Sequence, residues 1–338
     1  MYTKFYPNYN FLEVCLILFD RCNLGCSFCF QDHSHLKTPK EIEDISDKLI
    51  PQLEKSLNSR PYINHLIFRI WGGEVFMDIL DDKYFVAYKN LQTKISQWLN
   101  EHNYTYEFCY SSNLIFNKVD RVKKFLVDTN STIATSYDPV ERFHTQQQED
   151  LWWKNIKEFK PEVISITLTK LNIEKYINSD ILFKLKDYTI YPEYYIHNKN
   201  WQKYAPSSED ILNFYKYYYN SGLTNIPELN LLIESYNNPN GRYCVCSNSC
   251  SFINDKLTFS CLLRSGTLDM LNEYGMTLEQ CMSDKCTSIQ YNLTTSKLKC
   301  FSCKHYNYCR LPCMASQLHE SKDSSCAIDQ FYKWLENN

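Results

Sequence analysis

Sixteen cysteines in 338 residues fall in clumps, and that distribution constrains the fold of this chain more than any other feature. Eleven lie between Cys244 and Cys326, and three more within Cys22 to Cys29. The N-terminus has no basic region followed by an apolar run, because Glu13 interrupts Phe11–Phe19 ahead of Asp20 and Arg21; it is not a secretory signal. A chain without one is expected to stay in the reducing cytoplasm, where clumped cysteines hold metal rather than form disulfides. No stretch approaches the roughly 18 apolar residues of a membrane span. A formal net charge of −3 gives no electrostatic footprint for nucleic acid or anionic lipid, so neither is expected as a partner.

From Phe11 onward, strand-like and helix-like runs alternate as in a parallel α/β domain. Strands are predicted at Phe11–Phe19, Leu66–Ile70, Thr105–Tyr110, Thr132–Ser136, Val163–Leu168 and Tyr188–Tyr195. Helices are predicted at Glu41–Leu57, Tyr84–Asn100, Val119–Leu126, Leu151–Phe159, Ile173–Leu185 and Asp210–Tyr219. About six repeats fall short of the roughly eight of a closed barrel. The expected fold is therefore an open, partial (β/α)6 TIM-like barrel over residues 1–236. The turn-rich Asn237-Asn-Pro-Asn-Gly241 then opens a small cysteine-rich domain, 237–338, whose apolar content is too low to fold without metal.

Cys22-Asn-Leu-Gly-Cys26-Ser-Phe-Cys29 follows the first predicted strand directly. Three thiolates on one loop can wrap a metal cluster, with Gly25 expected to ease the tight turn. Structural zinc and simple electron-transfer cubanes both take four protein ligands, so three leave one iron open to chemistry. This Cys-x-x-x-Cys-x-aromatic-Cys pattern resembles the signature of the radical S-adenosylmethionine (SAM) superfamily. The resemblance implies that Cys22, Cys26 and Cys29 ligate a 4Fe–4S cluster whose open iron chelates SAM, and that Phe28 lies against the adenine. Gly72-Gly73-Glu74, after the second strand, resembles the family's Gly-Gly-Glu, which meets the SAM ammonium. Ser111-Ser112-Asn113 resembles its Thr-Asn-Gly segment near the ribose, with Leu114 in place of glycine. Ser136-Tyr-Asp138 resembles its Ser-x-Asp element, and the resemblance implies Arg142 as a partner for the SAM carboxylate.

The C-terminal run Cys300-x-x-Cys303-x5-Cys309-x3-Cys313, with Cys326, resembles the twin-cluster SPASM domain of radical SAM peptide-modifying enzymes. Upstream, Cys244 and Cys250 precede a hairpin-like run from Asp255 that ends at Cys261. The resemblance implies one auxiliary 4Fe–4S cluster on Cys244, Cys250, Cys261 and Cys313, and a second on Cys300, Cys303, Cys309 and Cys326. Cys246 is an alternative to Cys244; Cys281 and Cys286 have no assigned role. The residues themselves leave open a zinc ribbon on Cys300–Cys313.

What the resemblance implies for function is a 5′-deoxyadenosyl radical that takes hydrogen from a peptide or protein, as in crosslinking maturation of ribosomal peptides. A small-molecule dehydrogenase or cyclase, and a non-catalytic Fe–S or zinc scaffold, remain the alternatives. A flavodoxin or ferredoxin would be the reductant. Only some ten residues precede the first strand, so a leader peptide is expected to bind elsewhere, for instance on a separate recognition protein. Leu262 stands where sulfatase-maturing relatives carry a basic Asp, which disfavours formylglycine formation. Asp138, Glu193 and Tyr194, at or just past strand ends, are the candidate proton acceptors.

Anaerobically reconstituted protein is expected to hold about twelve irons per chain, and the Cys22/Cys26/Cys29→Ala triple variant roughly two-thirds of that. Zinc in place of iron after anaerobic purification would overturn the auxiliary-cluster assignment.

Overall fold

The computed structural model describes residues 10–29, 31, 33–140, 142–195, 201–237, 249–253, 255–258, 300–306, 309 and 326–338. Cys244, Cys246, Cys261, Cys281, Cys286 and Cys313 lie outside these residues, as does most of the turn-rich break at Asn237–Gly241. Six parallel strands carry the fold: β1 (Phe11–Ile17), β2 (His65–Trp71), β3 (Thr105–Ser112), β4 (Thr132–Ser136), β5 (Ile164–Leu168) and β6 (Ile190–Tyr194). Helices cross between them: α1 (Pro39–Glu43) and α2 (Ile45–Asn58), α3 (Asp82–Glu101), α4 (Val119–Asp128), α5 (Gln146–Phe159), then α6 (Lys170–Ile177) and α7 (Ile181–Lys184). This is the expected α/β partial barrel. Strand alternation sends Leu12, Val14, Leu16, Leu66, Phe68, Ile70, Phe108 and Tyr110 into one buried apolar cluster with the helices.

Two expected helices are each divided in two, and in both cases side-chain oxygens and amides explain the break. In place of Glu41–Leu57, a capping box of Thr38 and Glu41 starts α1 early, and the helix stops at Asp44. There the Ser46 hydroxyl takes the Glu43 carbonyl at 2.9 Å, in competition with the backbone ladder. In place of Ile173–Leu185, the Asn178 amide and the Ser179 hydroxyl take the carbonyls of Glu174 (2.9 Å) and Lys175 (2.7 Å), ending α6. Beyond β6 come α8 (Trp201–Tyr204), α9 (Ser208–Ser221) and α10 (Pro227–Asn237). Among the described residues no helix is long and apolar enough to cross a membrane.

The hairpin of β7 (Ser249–Ile253) and β8 (Lys256–Thr258) joins this same sheet, which runs β6-β5-β4-β3-β2-β1-β7-β8. β7 lies parallel to β1, with Cys250 opposite Val14. Asp255 supplies the left-handed turn residue (φ 65°), a conformation that Asp tolerates better than most side chains. Gln52 of α2 holds the turn by accepting from Leu257 N (2.9 Å) and donating to the Asp255 carbonyl (3.0 Å). Finally α11 (Ala327–Leu335) packs on α9 and α10: Phe331 meets Tyr215 at 5.5 Å, and Tyr332 stacks on Tyr236 at 5.4 Å. The residues assigned from sequence to a second domain thus reach both the sheet and the helical layer of the first.

Past β3 the chain turns through Leu114, fully buried at φ 59°. A left-handed backbone costs a bulky residue about 1–2 kcal/mol. Asn155 of α5, also fully buried, offsets this by donating from Nδ2 to the carbonyls of Leu114 (2.8 Å) and Phe116 (2.9 Å). Asn155→Leu should destabilise the protein by roughly 2–4 kcal/mol, because two buried carbonyls lose their donor. A urea midpoint equal to wild type would show that this tie carries no stability.

Candidate active site at the carboxyl ends of the strands

The loop Phe19–Cys29 is held on the end of β2. The ladder between β1 and β2 continues past both strands: Leu18 N donates to the Trp71 carbonyl (2.8 Å), Gly73 N to that of Phe19 (2.8 Å) and Glu74 N to that of Arg21 (2.9 Å). On the loop's other side Asp20 N and Arg21 N both donate to the His35 carbonyl. A Cβ on Gly73 would overlap the Arg21 and Asp20 carbonyls, and one on Gly72 would press on the Phe19 carbonyl at 3.1 Å. The glycine pair is therefore what lets the cysteine loop lie on the strand end. Gly25 is different: it has no positive φ, and a Cβ there would meet only His144 Nε2, at an ordinary 3.8 Å. That ring nitrogen accepts the Gly25 N–H at 3.3 Å, a contact for which the sequence carries no signal.

Cys22, Cys26 and Cys29 are half-buried thiols, none in a disulfide. Burial pushes Cys22 up to about 12, partly offset by a hydrogen bond from Leu24 N (3.3 Å). Burial also raises Cys26, against the lowering influence of the Arg142 cation. Protonated thiols do not bind metal, so loading this loop must displace protons.

Glu74 is fully buried and holds β2 to β3. Its carboxylate accepts from Phe76 N (2.9 Å), Ser112 Oγ (2.8 Å) and Asn113 N (2.5 Å). Burial still pushes its pKa up to about 7, with the three donors pulling the other way. A carboxyl whose folded pKa is raised loses stabilisation as pH climbs from its unfolded value toward 7. A bound cation would reverse that, and the site has the right chemistry to accept an ammonium group.

Asp138 is also fully buried, and both its oxygens are engaged. Oδ2 accepts from Arg142 Nε (2.7 Å) and Nη2 (2.5 Å); Oδ1 accepts from Thr167 N (2.7 Å) and Asn172 Nδ2 (3.2 Å). The Arg142 guanidinium carbon lies 5.7 Å from the centre of the Phe28 ring, and its charge acts on Cys26 and Cys29. Phe28 is buried with Tyr195 and Tyr204, and Tyr204 Oη donates to Ser27 Oγ at 2.6 Å. Ser136 ends β4, half-buried and in register with Ser165. Glu193 accepts from Ser165, and burial raises its pKa. Tyr194, one residue on, faces the helices, its hydroxyl 2.5 Å from that of Tyr215. The structure thus gathers Cys22, Cys26, Cys29, Phe28, Gly72, Gly73, Glu74, Ser112, Asn113, Asp138 and Arg142 at one end of the sheet, and turns Tyr194 away.

Near the C-terminus, Cys300 and Cys303 lie on one turn, where Cys303 N donates to the Cys300 carbonyl, and Cys309 N donates to the His305 carbonyl. Cys326 caps α11. His305 is buried between Asp329 Oδ1 (2.8 Å) and Glu336 Oε1 (3.1 Å), and Cys303 Sγ contacts the same Asp329 oxygen at 3.4 Å. Ligand atoms of Cys303, His305 and Asp329 all fall within 4.8 Å of one another, a spacing compatible with a metal ion. Cys250, expected as a ligand of the other auxiliary cluster, sits inside β7 and is buried in the main apolar cluster.

No protein-family model and no curated protein matches the chain. Solved structures do. Native anSMEcpe with bound AdoMet and Cp18Cys peptide is similar at a TM-score of 0.61 and 18% identity, over 96% of this chain and 95% of that one. A polyhistidine-tagged form of anSMEcpe with bound AdoMet gives 0.60 at the same identity and coverage. SuiB of Streptococcus suis gives 0.53 at 15% identity, over 93% of this chain and 75% of its own. The chain shares the fold of these structures.

Gly73→Ala is expected to push the cysteine loop off β2 and to lower the iron bound by the reconstituted chain, whereas Gly25→Ala should bind as much as wild type. Equal iron in both variants would show that the close approach at Gly73 does not govern the loop.

Proposed function

We propose that this chain is a radical SAM enzyme acting on a peptide or protein segment, with oxidative crosslinking of a ribosomally made peptide as its product class. The observation that carries the proposal is one juxtaposition: three thiols on a loop seated by Gly72-Gly73-Glu74, facing an Asp138-anchored Arg142 that lies over Phe28. Cys22, Cys26 and Cys29 fit a four-iron cluster with one open iron. When bound there, SAM supplies the 5′-deoxyadenosyl radical that takes a hydrogen atom from substrate.

The chain's own groups then have defined work. Glu74 offers the charge that the SAM ammonium requires, and the ammonium keeps that carboxylate ionised despite its burial. Arg142, fixed by two bonds to Asp138, offers a cation to the SAM carboxylate. Phe28 offers a ring for the adenine. Of the three candidate proton acceptors, Glu193 suits the role best, because Asp138 is fully hydrogen-bonded and the Tyr194 hydroxyl is engaged with Tyr215. The assigned C-terminal cysteines would hold two auxiliary 4Fe–4S clusters, whose chemistry is to accept the electron that oxidative crosslinking releases, and a flavodoxin or ferredoxin would be the external reductant. A peptide substrate is supported by the peptide bound to native anSMEcpe. Among the described residues β7 closes the β1 edge and β6 is the outermost barrel strand, along which an extended chain could lie.

With dithionite and SAM, the clustered protein should release 5′-deoxyadenosine and methionine slowly even without substrate, and the Cys22/Cys26/Cys29→Ala variant none. A fully clustered wild type that neither binds nor cleaves SAM would make the chain a scaffold. A SAM-bound structure with a closed pocket too narrow for a main chain would turn the proposal toward a small molecule.

A further inference from the structure

Asn113 stands just past β3, and its side chain is turned to the cysteine loop. Nδ2 donates to Asn23 Oδ1 at 2.7 Å and reaches Cys22 Sγ at 3.6 Å. Oδ1 accepts from Ile115 N at 2.8 Å, which fixes the amide so that its NH2 end, not its oxygen, faces the sulfur. Asn23 returns the tie by donating from Nδ2 to the Ile115 carbonyl at 2.6 Å. The backbone is held as well, since Asn113 N donates to the buried Glu74 carboxylate. Asn113 is 6% exposed, so little freedom remains for it to swing toward a nucleoside. Its polar atoms thus serve the loop rather than the ribose that the motif resemblance suggests. Leu24 N is a second donor to the same sulfur, at 3.3 Å.

We propose that Asn113 is a positioning residue for Cys22: its amide N–H holds the sulfur in place and raises the reduction potential of the cluster that this sulfur would ligate. The inference rests on the cluster assignment of the preceding subsection. Reduction adds negative charge that spreads onto the ligand sulfurs, and a hydrogen bond to a sulfur favours the more negative state. Removing the donor should therefore move the potential to more negative values.

The test uses the full chain, reconstituted anaerobically, in a redox titration followed by electron paramagnetic resonance. The relevant cluster is the one absent from the Cys22/Cys26/Cys29→Ala variant. Asn113→Asp keeps the acceptor for Ile115 N but sets a carboxylate oxygen against Cys22 Sγ and Asn23 Oδ1. Asn113→Ser is too short to reach the sulfur. Both variants should shift that cluster to a more negative potential, Asn113→Asp further, while the remaining clusters titrate as in wild type. Loss of that cluster's iron from either variant, with unchanged far-ultraviolet circular dichroism, also supports the holding role, and the other variant then reports the potential. Wild-type iron and wild-type potential in both variants would overturn the proposal. Failure of the underlying cluster assignment is separately visible, because wild type and the triple cysteine variant would then hold equal iron.

Discussion

The close approach of two backbones, Arg21 over Gly73, is the constraint on which the rest of this site depends. Ladder hydrogen bonds normally end with the strands, but here they carry on through Gly73 N and Glu74 N into the carbonyls of Phe19 and Arg21. A loop held by backbone bonds on the end of a sheet has its side chains fixed in direction, which a loop bearing three metal ligands requires. Two backbones can lie this close only where one lacks a Cβ, so the glycine pair is needed for sterics before any ligand is considered. The Glu74 carboxylate then gathers N–H and O–H donors from beyond β2 and from β3, so the second and third strand ends are fastened at the same place.

Much of this was legible in the sequence, because strand–helix alternation and short cysteine spacings are local signals. All six barrel strands lie where the apolar runs put them, with ends that differ by two residues at most. What was not legible depended on contacts distant along the chain. The division of two predicted helices follows from Ser46, Asn178 and Ser179 taking backbone carbonyls, a choice that periodicity does not record. Leu114 is a sharper instance. A buried leucine in a left-handed turn contradicts local preference, and it persists because Asn155, forty-one residues on, satisfies the carbonyls around it. His144 and Tyr204 reach the cysteine loop by tertiary packing, and no spacing in the sequence announces them.

The electrostatics of the site are paired rather than open. Asp138 and Arg142 neutralise each other, and burial with Thr167 N and Asn172 fixes their geometry. A buried pair of this kind is a poor source of stability but a good means of orientation, since breaking either partner leaves an uncompensated charge. Glu74 has hydrogen-bond donors but, among the described residues, no cation in contact, and burial raises its pKa against those donors and the more distant Arg142. The acidic residues past β2 and β4 thus differ in kind: Asp138 is held by a cation, Glu74 by N–H and O–H donors.

The C-terminal residues add a coupling that a two-domain reading does not contain. β7 pairs with β1 over Glu13 to Leu16, and β1 runs directly into the cysteine loop through Leu18 and Phe19. Displacing β7 would expose the edge of β1 over Glu13 to Leu16, on the strand that leads into Cys22. At the other end of the segment, α11 buries Phe331 and Tyr332 on α9 and α10, and His305 ties the Cys300–Cys309 turn to α11 through Asp329 and Glu336. Thiols at both ends of the chain are therefore held to one barrel by strand pairing and helix packing. Cys250 on β7 and Cys326 at the start of α11 each sit on an element packed against the barrel, β7 beside the strand that runs into the cysteine loop.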